Sequence, residues 1–574
     1  MSNIKYDTAK SIGKVISVDT ASVIVEVEDL DKLKSTQVNH LSVIQSPKAG
    51  QHLIGLIKKI TRKSILEESE AGDDKINTEN LVKISLIGTL LDKHGTKDNV
   101  FKRTLETVPE IEAECFMLTG SELTNFMETI ASNSTNDDVP LTLGNYTLDQ
   151  NAKAFIDGDK LFQRHACIVG STGSGKSWCV ARLIEQIATL KNANSILFDI
   201  HGEYKPLKSD KIGYLKVMGP GDLGISNPLS KGLIKLPYWL LTYEEMLSMC
   251  LDRSDNNAPN QAMLFAKQVA EKKLAYLEEK KLNEYKANFT VDSPIPYDIS
   301  SVINDLKALD IEMVTGSSGR DKQGPYHGKL TRFIQRLEAK ISDRRLGFLF
   351  HVSDVDQEFD YLNKIVNILI NSGSNNSGKG VKLLDFSEVP SDILPLMTGL
   401  LARLLFTVQQ WTDEDKRQPI SLFCDEAHLY IPQTSNSSQE LGLKSFERIA
   451  KEGRKYGTGL VIISQRPSEV NRTVISQCNN FISLRLSNQE DQTVIKKLLP
   501  DSLGDLTELL PVLDIGEALI VGDCTLLPIR ISIDEPTNKP SSATIDFWTE
   551  WTKEDMLSGV DQSIEYLRKQ SKSN

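Results

Sequence analysis

Nowhere in these 574 residues does an apolar run reach the roughly 18 uninterrupted residues that a membrane helix needs. The opening MSNIKYDTAK also has no basic start followed by an apolar core. Together these absences argue against a membrane protein and predict a cytoplasmic one. Cysteine is sparse as well: Cys115, Cys167, Cys179, Cys250, Cys424, Cys478 and Cys524 are scattered, odd in number and never in CxxC spacing. Zinc and disulfide frameworks are therefore set aside, and buried free thiols are expected. Positive charge is in deficit, 66 Lys and Arg against 78 Asp and Glu, a net charge of -12. That excludes a protein that coats nucleic acid with its whole surface. A ring or cleft lined with Lys and Arg remains open, because counterion release depends only on the lining. No repeat recurs along the chain.

What is present has the composition of a globular protein, with 40% hydrophobic and 25% charged residues. The length calls for more than one structural unit. From Ser11 to about Asn145 the chain reads as short alternating apolar runs (IGKVISVDTASVIVEVE, HLIGLIKKITR, LVKISLIGTLLD), the pattern of a small β-barrel or sandwich. The acidic, polar stretch from Glu67 to Asn80 reads as a long hairpin loop. The texture changes near Leu141, and apolar strands then alternate with helices as in an α/β unit with a parallel sheet. Residues from about 240 to 345, rich in Glu, Lys, Leu and Ala at helical spacing, read as a helical insertion with solvated charged faces. The expected units are a barrel over 1–145, a core over 146–535, and a tail over 536–574. That tail carries one amphipathic helix, FWTEWTKEDMLSGV, and a polar end expected to be mobile.

The chemistry starts at HACIVGSTGSGKSWCVARLIEQI, where a strand (Ala166 to Val169), a glycine loop and a helix follow in the order a P-loop requires. Gly170, Gly173 and Gly175, interleaved with Ser171, Thr172 and Ser174, let the backbone curl so that its N–H groups face phosphate oxygens. Lys176 is placed to reach the β- and γ-phosphates, Ser177 to offer a hydroxyl to Mg²⁺, and Trp178 closes the ATP-binding segment. PISLFCDEAHLYIP then supplies Asp425 as the metal acid at a strand end and Glu426 as the general base one residue on. NSILFDIHGEY ends in Asp199, His201 and Glu203, which fit either metal or water positioning or a hydrogen-bonded turn. TGLVIISQRP puts Ser464 and Gln465 at a third strand end, where Gln465 can sense the γ-phosphate. FERIAKEGRKYG carries Arg448, Lys451, Arg454 and Lys455 at a helix C-terminus. Such charge compensates a helix dipole or offers an arginine finger, with Arg454 foremost, to a neighbouring subunit.

This set of motifs resembles the HerA family of hexameric ATPases, relatives of the FtsK DNA pumps. The matches are RHACIVGSTGSGKS, FDIHGEY, LLDFSEVP followed by GLLARLLF, LFCDEAHLYIP, ERIAKEGRKYGTGLVIISQRPSEV and GEALIVG, between about Gly13 and Ile533. The family's usual DPHGEY stands here as Asp199-Ile-His-Gly-Glu-Tyr204. The resemblance implies an α/β fold: a RecA-like P-loop ATPase core with a helical insertion, behind a small HAS-barrel-like domain. It implies six subunits around a channel, with ATP and Mg²⁺ between neighbours. Lys176, Ser177, Asp425 and Glu426 then form the core site, Gln465 the sensor and Arg454 the trans arginine, while Arg164 matches another nucleotide-facing arginine.

Two functions compete. A DNA translocase or helicase would work beside a nuclease and needs basic residues lining a channel. Lys329, Arg332, Arg336, Lys340, Arg344 and Arg345 are the candidates, and a solvated helix face is the alternative reading. A ring platform would instead hold and regulate a partner effector, such as the nuclease or sirtuin-like enzymes found beside bacterial relatives in antiphage operons. A metabolic P-loop kinase fits poorly with a trans arginine and a long helical insertion.

Overall fold

A computed structural model describes residues 6–19, 21–67, 75–95, 97–131, 141–315, 320–370, 379–434, 437–498, 501–541, 545–553 and 559–569. The alternating runs near the start form seven strands: β1 (Gly13–Val18), β2 (Ser22–Glu26), β3 (Leu41–Gln45), β4 (Gln51–Glu67), β5 (Lys75–His94), β6 (Lys97–Lys102) and β7 (Glu114–Met117). Six of them close in the order β5-β2-β1-β7-β3-β4-β5, with β6 added on the far side of β5. Closure removes free sheet edges. Alternation fills the interior, since Val23 faces Ile84 and Val25 faces Val82 across β2 and β5, and all four are buried. The expected polar hairpin loop is shorter than the sequence suggests. β4 runs through Glu67 and β5 restarts at Lys75, because polar residues pair in an exposed two-stranded ribbon as readily as they form loops; residues 68–74 lie outside the described residues.

The remaining strands are β8 (Leu141–Tyr146), β9 (Asp149–Ile156), β10 (Ala166–Val169), β11 (Ser195–Asp199), β12 (Ile212–Val217), β13 (Leu233–Ile234), β14 (Met313–Thr315), β15 (Asp321–Gln323), β16 (Val381–Asp385), β17 (Ile420–Cys424), β18 (Thr458–Ser464), β19 (Asn480–Ser483), β20 (Glu517–Gly522) and β21 (Ile529–Ile533). All but β14 and β15 join one sheet in the order β13-β12-β16-β11-β17-β18-β10-β19-β20-β21-β8-β9. It is parallel from β13 to β19 and antiparallel beyond. β10, β11, β17 and β18 are buried at every residue, which is why they read as unbroken apolar runs: helices cover both faces. The barrel docks on the antiparallel end, where Leu41, Val43 and Phe116 share an apolar cluster with Leu143, Tyr146 and Phe155. The Tyr146 hydroxyl donates to Asn39 O at 3.0 Å, and Arg103 Nε donates to Leu526 O at 2.7 Å.

Between β13 and β16 lies the helical insertion, with helices Tyr243–Cys250, Ala258–Glu279, Ile299–Ile311 and Thr331–Ser342 and the β14–β15 hairpin. Helical structure extends past the expected end near residue 345, through Gly347–Phe350 and Tyr361–Leu369. The latter places Tyr361, Ile365 and Leu369 on one buried stripe. A Thr242 and Glu245 capping box starts the first helix, and Glu245 also receives both arms of Arg403 at 3.0 and 2.8 Å, tying the insertion to helix Leu394–Trp411. That helix crosses helix Ser437–Glu452 glycine on glycine: a Cβ on Gly399 would lie 2.3 Å from Gly442 Cα. In the tail, the single expected helix is instead a short turn of helix, Phe547–Trp551, followed by a separate helix, Val560–Lys569; residues 554–558 lie outside the described residues. Gly559 precedes the second helix with φ +93°, a conformation that a continuous helix does not allow. Among the described residues no helix is long and apolar enough to cross a membrane. All seven cysteines are free and buried.

His165, just ahead of β10, is 3% exposed and sits at φ +54°. Its Nδ1 accepts the Leu460 N–H at 2.9 Å, so the proton must be on Nε2, which donates to Ala450 O at 3.1 Å. Burial lowers its pKa from 6.5 to about 4. Because the unfolded chain takes that proton first, the stability this contributes is complete above pH 6.5 and is lost as pH falls toward about 4, a swing of about 3 kcal/mol. His165→Gln is expected to be less stable at neutral pH and to show a shallower fall in unfolding midpoint between pH 6.5 and 4 than the wild type. Equal slopes would count against this role.

Candidate nucleotide site

Parallel register brings four strand ends to one edge. Val169 of β10 aligns with Ser464 of β18, Cys424 of β17 with Ile462 of β18, and Phe198 of β11 with Cys424, so β10 and β18 reach two residues further than β17. Gly170, Gln465 and Asp425, just past their strands, and Asp199, the last residue of β11, therefore lie at the carboxyl edge of the sheet, where parallel sheets bind ligands. Gly170 to Gly175 curl from β10 into helix Lys176–Ala188, with Gly173 at φ +73° and Gly175 at +98°. Ser171 N–H donates outward to Arg485 O at 2.8 Å, and Gly516 N–H donates to Ser174 O at 3.0 Å. These bonds fix the loop from outside. The helix N-terminus carries no side-chain cap, so its amides are left for an anion.

The side chains form a connected set across three strands. Thr172 Oγ1 donates to Gln465 Oε1 at 2.7 Å, Gln465 Nε2 lies 3.3 Å from Glu426 Oε1, and Lys176 Nζ lies 3.4 Å from that same oxygen. Ser177 Oγ donates to Glu203 Oε2 at 3.2 Å. Asp199 accepts the backbone N–H groups of Glu203 at 3.0 Å and Tyr204 at 2.9 Å, so the turn reading holds for it, while Glu203 reaches the Ser177 hydroxyl. His201 is exposed. Burial, then the neighbouring Glu426, push the Asp425 carboxyl well above the ordinary range, with Lys176 pulling the other way. Burial raises Asp199 to about 7. The pocket is thus short of positive charge.

ATP and Mg²⁺ fit these residues. Among the described residues, the buried Glu426 Oε2 makes no hydrogen bond, and Lys176 Nζ lies 3.4 Å from the other oxygen of that carboxylate. No group of three or more His, Cys, Asp or Glu among the described residues could hold a metal alone. Mg²⁺ in a phosphate-loop site takes few protein ligands and fills its shell with phosphate and water, and Ser177 and Asp425 are the residues expected to supply a hydroxyl and a carboxylate. One residue escaped the sequence reading. His428 Nδ1 lies 3.3 Å from Glu426 Oε2 and 3.3 Å from Ser464 Oγ, bridging the general-base candidate to the β18 end. The signal was the Asp-Glu-Ala-His run: Glu426 sits at φ +45°, so the next residues turn back in a short 3-10 turn and bring His428 beside it. Burial lowers the His428 pKa, against the pull of Glu426.

Arg454 and Arg164 lie elsewhere. Both precede their strands, at the amino edge of the sheet, and a four-residue strand such as β10 spans about 13 Å. Neither can reach its own subunit's phosphate loop. Arg164 is ion-paired with Asp523. At the end of helix Ser437–Glu452, Arg448 bonds Gln410 at 3.0 Å, Lys451 lies 3.7 Å from Glu447, and Lys455 lies over the Tyr456 ring. Arg454 is exposed in the same recess and has no ion pair or side-chain hydrogen bond among the described residues. Trp178 lies under the Lys539 ammonium, 5.1 Å from its ring centre. Of the channel candidates, Arg336 pairs with Asp252, Arg345 with Asp343, and Lys329 donates to Pro325 O. Arg332, Lys340 and Arg344 make no ion pair among the described residues.

Comparison with known proteins places these residues in context. The family model described as Helicase HerA, central domain, matches residues 141–405, and that described as Helicase HerA-like C-terminal matches residues 374–526. A probable DNA double-strand break repair helicase HerA from Methanocaldococcus jannaschii is 28% identical over 442 residues, 72% of this chain and 79% of that protein. The DNA double-strand break repair helicase HerA of Sulfolobus acidocaldarius is 26% identical over 394 residues, 68% of each chain. A probable helicase of Methanocaldococcus jannaschii is 23% identical over 552 residues, 91% of this chain and 95% of that one. Among solved structures, VirB4 of Thermoanaerobacter pseudethanolicus is 17% identical with a TM-score of 0.45, over 70% of this chain and 98% of that one. The plasmid coupling protein TrwB in complex with ADP and Mg²⁺ is 14% identical with a TM-score of 0.44, over 74% and 95%.

Glu426→Gln keeps the hydrogen bond from Gln465 and the volume of the side chain while removing its basicity. The expected result is nucleotide binding close to wild type with hydrolysis reduced at least about 100-fold, measured by phosphate release and by nucleotide titration on the same preparation. Full hydrolysis in this variant would remove Glu426 as the base.

Proposed function

The chain belongs to the HerA helicase family and is a P-loop ATPase, and from that premise we propose that it acts as a cytoplasmic homohexameric motor that translocates or unwinds DNA beside a partner effector. The observation that carries the reading is Arg454: an exposed, unpaired guanidinium on the sheet edge opposite the phosphate loop of its own subunit. A site with a loop, a base and a sensor on one edge and a free arginine on the other is completed by stacking subunits head to tail, and closure of that contact makes a ring.

Within the site each residue has a task. Ser177 and Asp425 would hold Mg²⁺, which would supply positive charge to the phosphates. Lys176 exchanges Glu426 for the phosphates, which frees Glu426 Oε1. Glu426 then takes a proton from the attacking water, with His428 steadying its second oxygen. Gln465, bonded to both Thr172 and Glu426, couples loop and base, so the state of the γ-phosphate is felt at the end of β18. Arg454 of the next subunit adds positive charge as charge develops on the transferred group. Of the six channel candidates, Arg332, Lys340 and Arg344 make no ion pair among the described residues and are the ones offered to a phosphate backbone.

A second reading is a ring platform that holds and regulates an effector, such as a nuclease or sirtuin-like enzyme in antiphage defence. The exposed Phe547, Trp548, Trp551 and Leu567 of the C-terminal helices favour it, since they offer an apolar surface for a partner. The readings separate on DNA. Duplex DNA is expected to stimulate ATP hydrolysis, and the stimulation to fall steeply between roughly 50 and 200 mM salt as phosphate contacts are screened. Hydrolysis indifferent to DNA at low salt would put the platform ahead.

A further inference from the structure

The phosphate loop has a second flank that hydrolysis leaves unused. β10 lies between β18 and β19, and Glu426 and Gln465 follow β17 and β18, so the γ-phosphate end of the site is on that side. On the other side the turn that leads into β20 touches the loop directly. Gly516 N–H donates to Ser174 O at 3.0 Å, and a Cβ on Gly175 would stand 3.2 Å from Gly516 Cα. A polyphosphate that starts at Glu426 and follows the loop carries its nucleoside toward this turn.

The turn is rigid. Asp514 N–H donates to Glu517 Oε2 at 3.0 Å, Arg530 Nη2 holds that same oxygen at 2.7 Å, and Ile533 N–H donates to Gly516 O at 2.8 Å. Leu513 is buried and anchors it, yet its neighbours Val512 and Ile515 are 66% and 70% exposed. Two apolar side chains fixed in water beside a nucleotide loop gain free energy from any flat apolar surface laid on them. We propose that Val512 and Ile515 form the platform on which the purine base of the bound nucleotide packs. The platform binds a part of ATP that Lys176, Ser177 and the loop amides do not touch, and it is preformed, so little ordering opposes binding. It also makes the β20–β21 hairpin, and through β8 the barrel, part of the nucleotide's surroundings.

The test compares Mg²⁺ complexes of a non-hydrolysable ATP analogue and of inorganic tripolyphosphate, titrated calorimetrically into the full chain and into a Val512→Ser/Ile515→Ser variant. The analogue is expected to bind the variant about five- to tenfold more weakly, with tripolyphosphate affinity and assembly state unchanged and analogue affinity kept in Ile515→Leu. Unchanged analogue affinity would overturn the proposal. Equal weakening of both ligands would overturn it too, by showing that the turn shapes the phosphate loop, as would loss of assembly with analogue affinity intact, by showing that a second copy covers these side chains. None of these outcomes depends on whether the protein moves DNA.

Discussion

One buried lysine faces four carboxylates, and most of the site's behaviour follows from that imbalance. Lys176 is ion-paired with Glu426, while Asp199, Glu203 and Asp425 crowd the same sheet edge. Burying charges of one sign without partners is costly, and the sheet bears it in two ways. Asp199 and Asp425 hold their protons more tightly than ordinary carboxyls, and Glu426 borrows Lys176 and Gln465 as partners. Both arrangements are provisional. A magnesium-bound polyphosphate would bring cationic charge to the acids and anionic charge to the lysine, and under the proposed mechanism its binding relieves the imbalance and frees Glu426 to act as the base.

The same sheet divides labour between its edges. Everything that binds phosphate follows a strand; Arg454 precedes one. His165 shows how firmly that amino edge is built, with a neutral imidazole bonded on both sides between Leu460 and Ala450. The glycine contact between Gly399 and Gly442 lets helix Ser437–Glu452 lie close to helix Leu394–Trp411. Arg454, just past that helix, is exposed and has no ion pair or side-chain hydrogen bond among the described residues, and a neighbouring subunit's nucleotide is the partner proposed for it.

Much of this was legible before the structure. The phosphate loop and Asp425-Glu426 could be read because backbone curvature and metal chemistry impose residue types at fixed spacing. The core strands could be read because burial on both faces leaves only apolar residues. What escaped depends on contacts between distant segments. His428 looked like one more residue after an acidic pair until the left-handed Glu426 turned it back. Arg454 was already foremost among four similar cations in the sequence, and the structure adds that Arg448, Lys451 and Lys455 have partners of their own. The tail helix was misjudged because the amphipathic pattern continues past Trp551, where the first helix ends, and the left-handed Gly559 starts a separate helix. GEALIVG begins at Gly516 and was read as a motif, but its contact with the phosphate loop is made by backbone atoms and so could not be read from residue types.

The claim that most needs a direct test is that each ATP site is shared by two subunits. Lys176→Ala and Arg454→Ala proteins are each expected to be inactive, and mixing them within one assembly should restore part of the hydrolysis, because some contacts then join an intact loop to an intact arginine. An assembled mixture with no recovered activity would contradict the account and return Arg454 to the role of a surface charge.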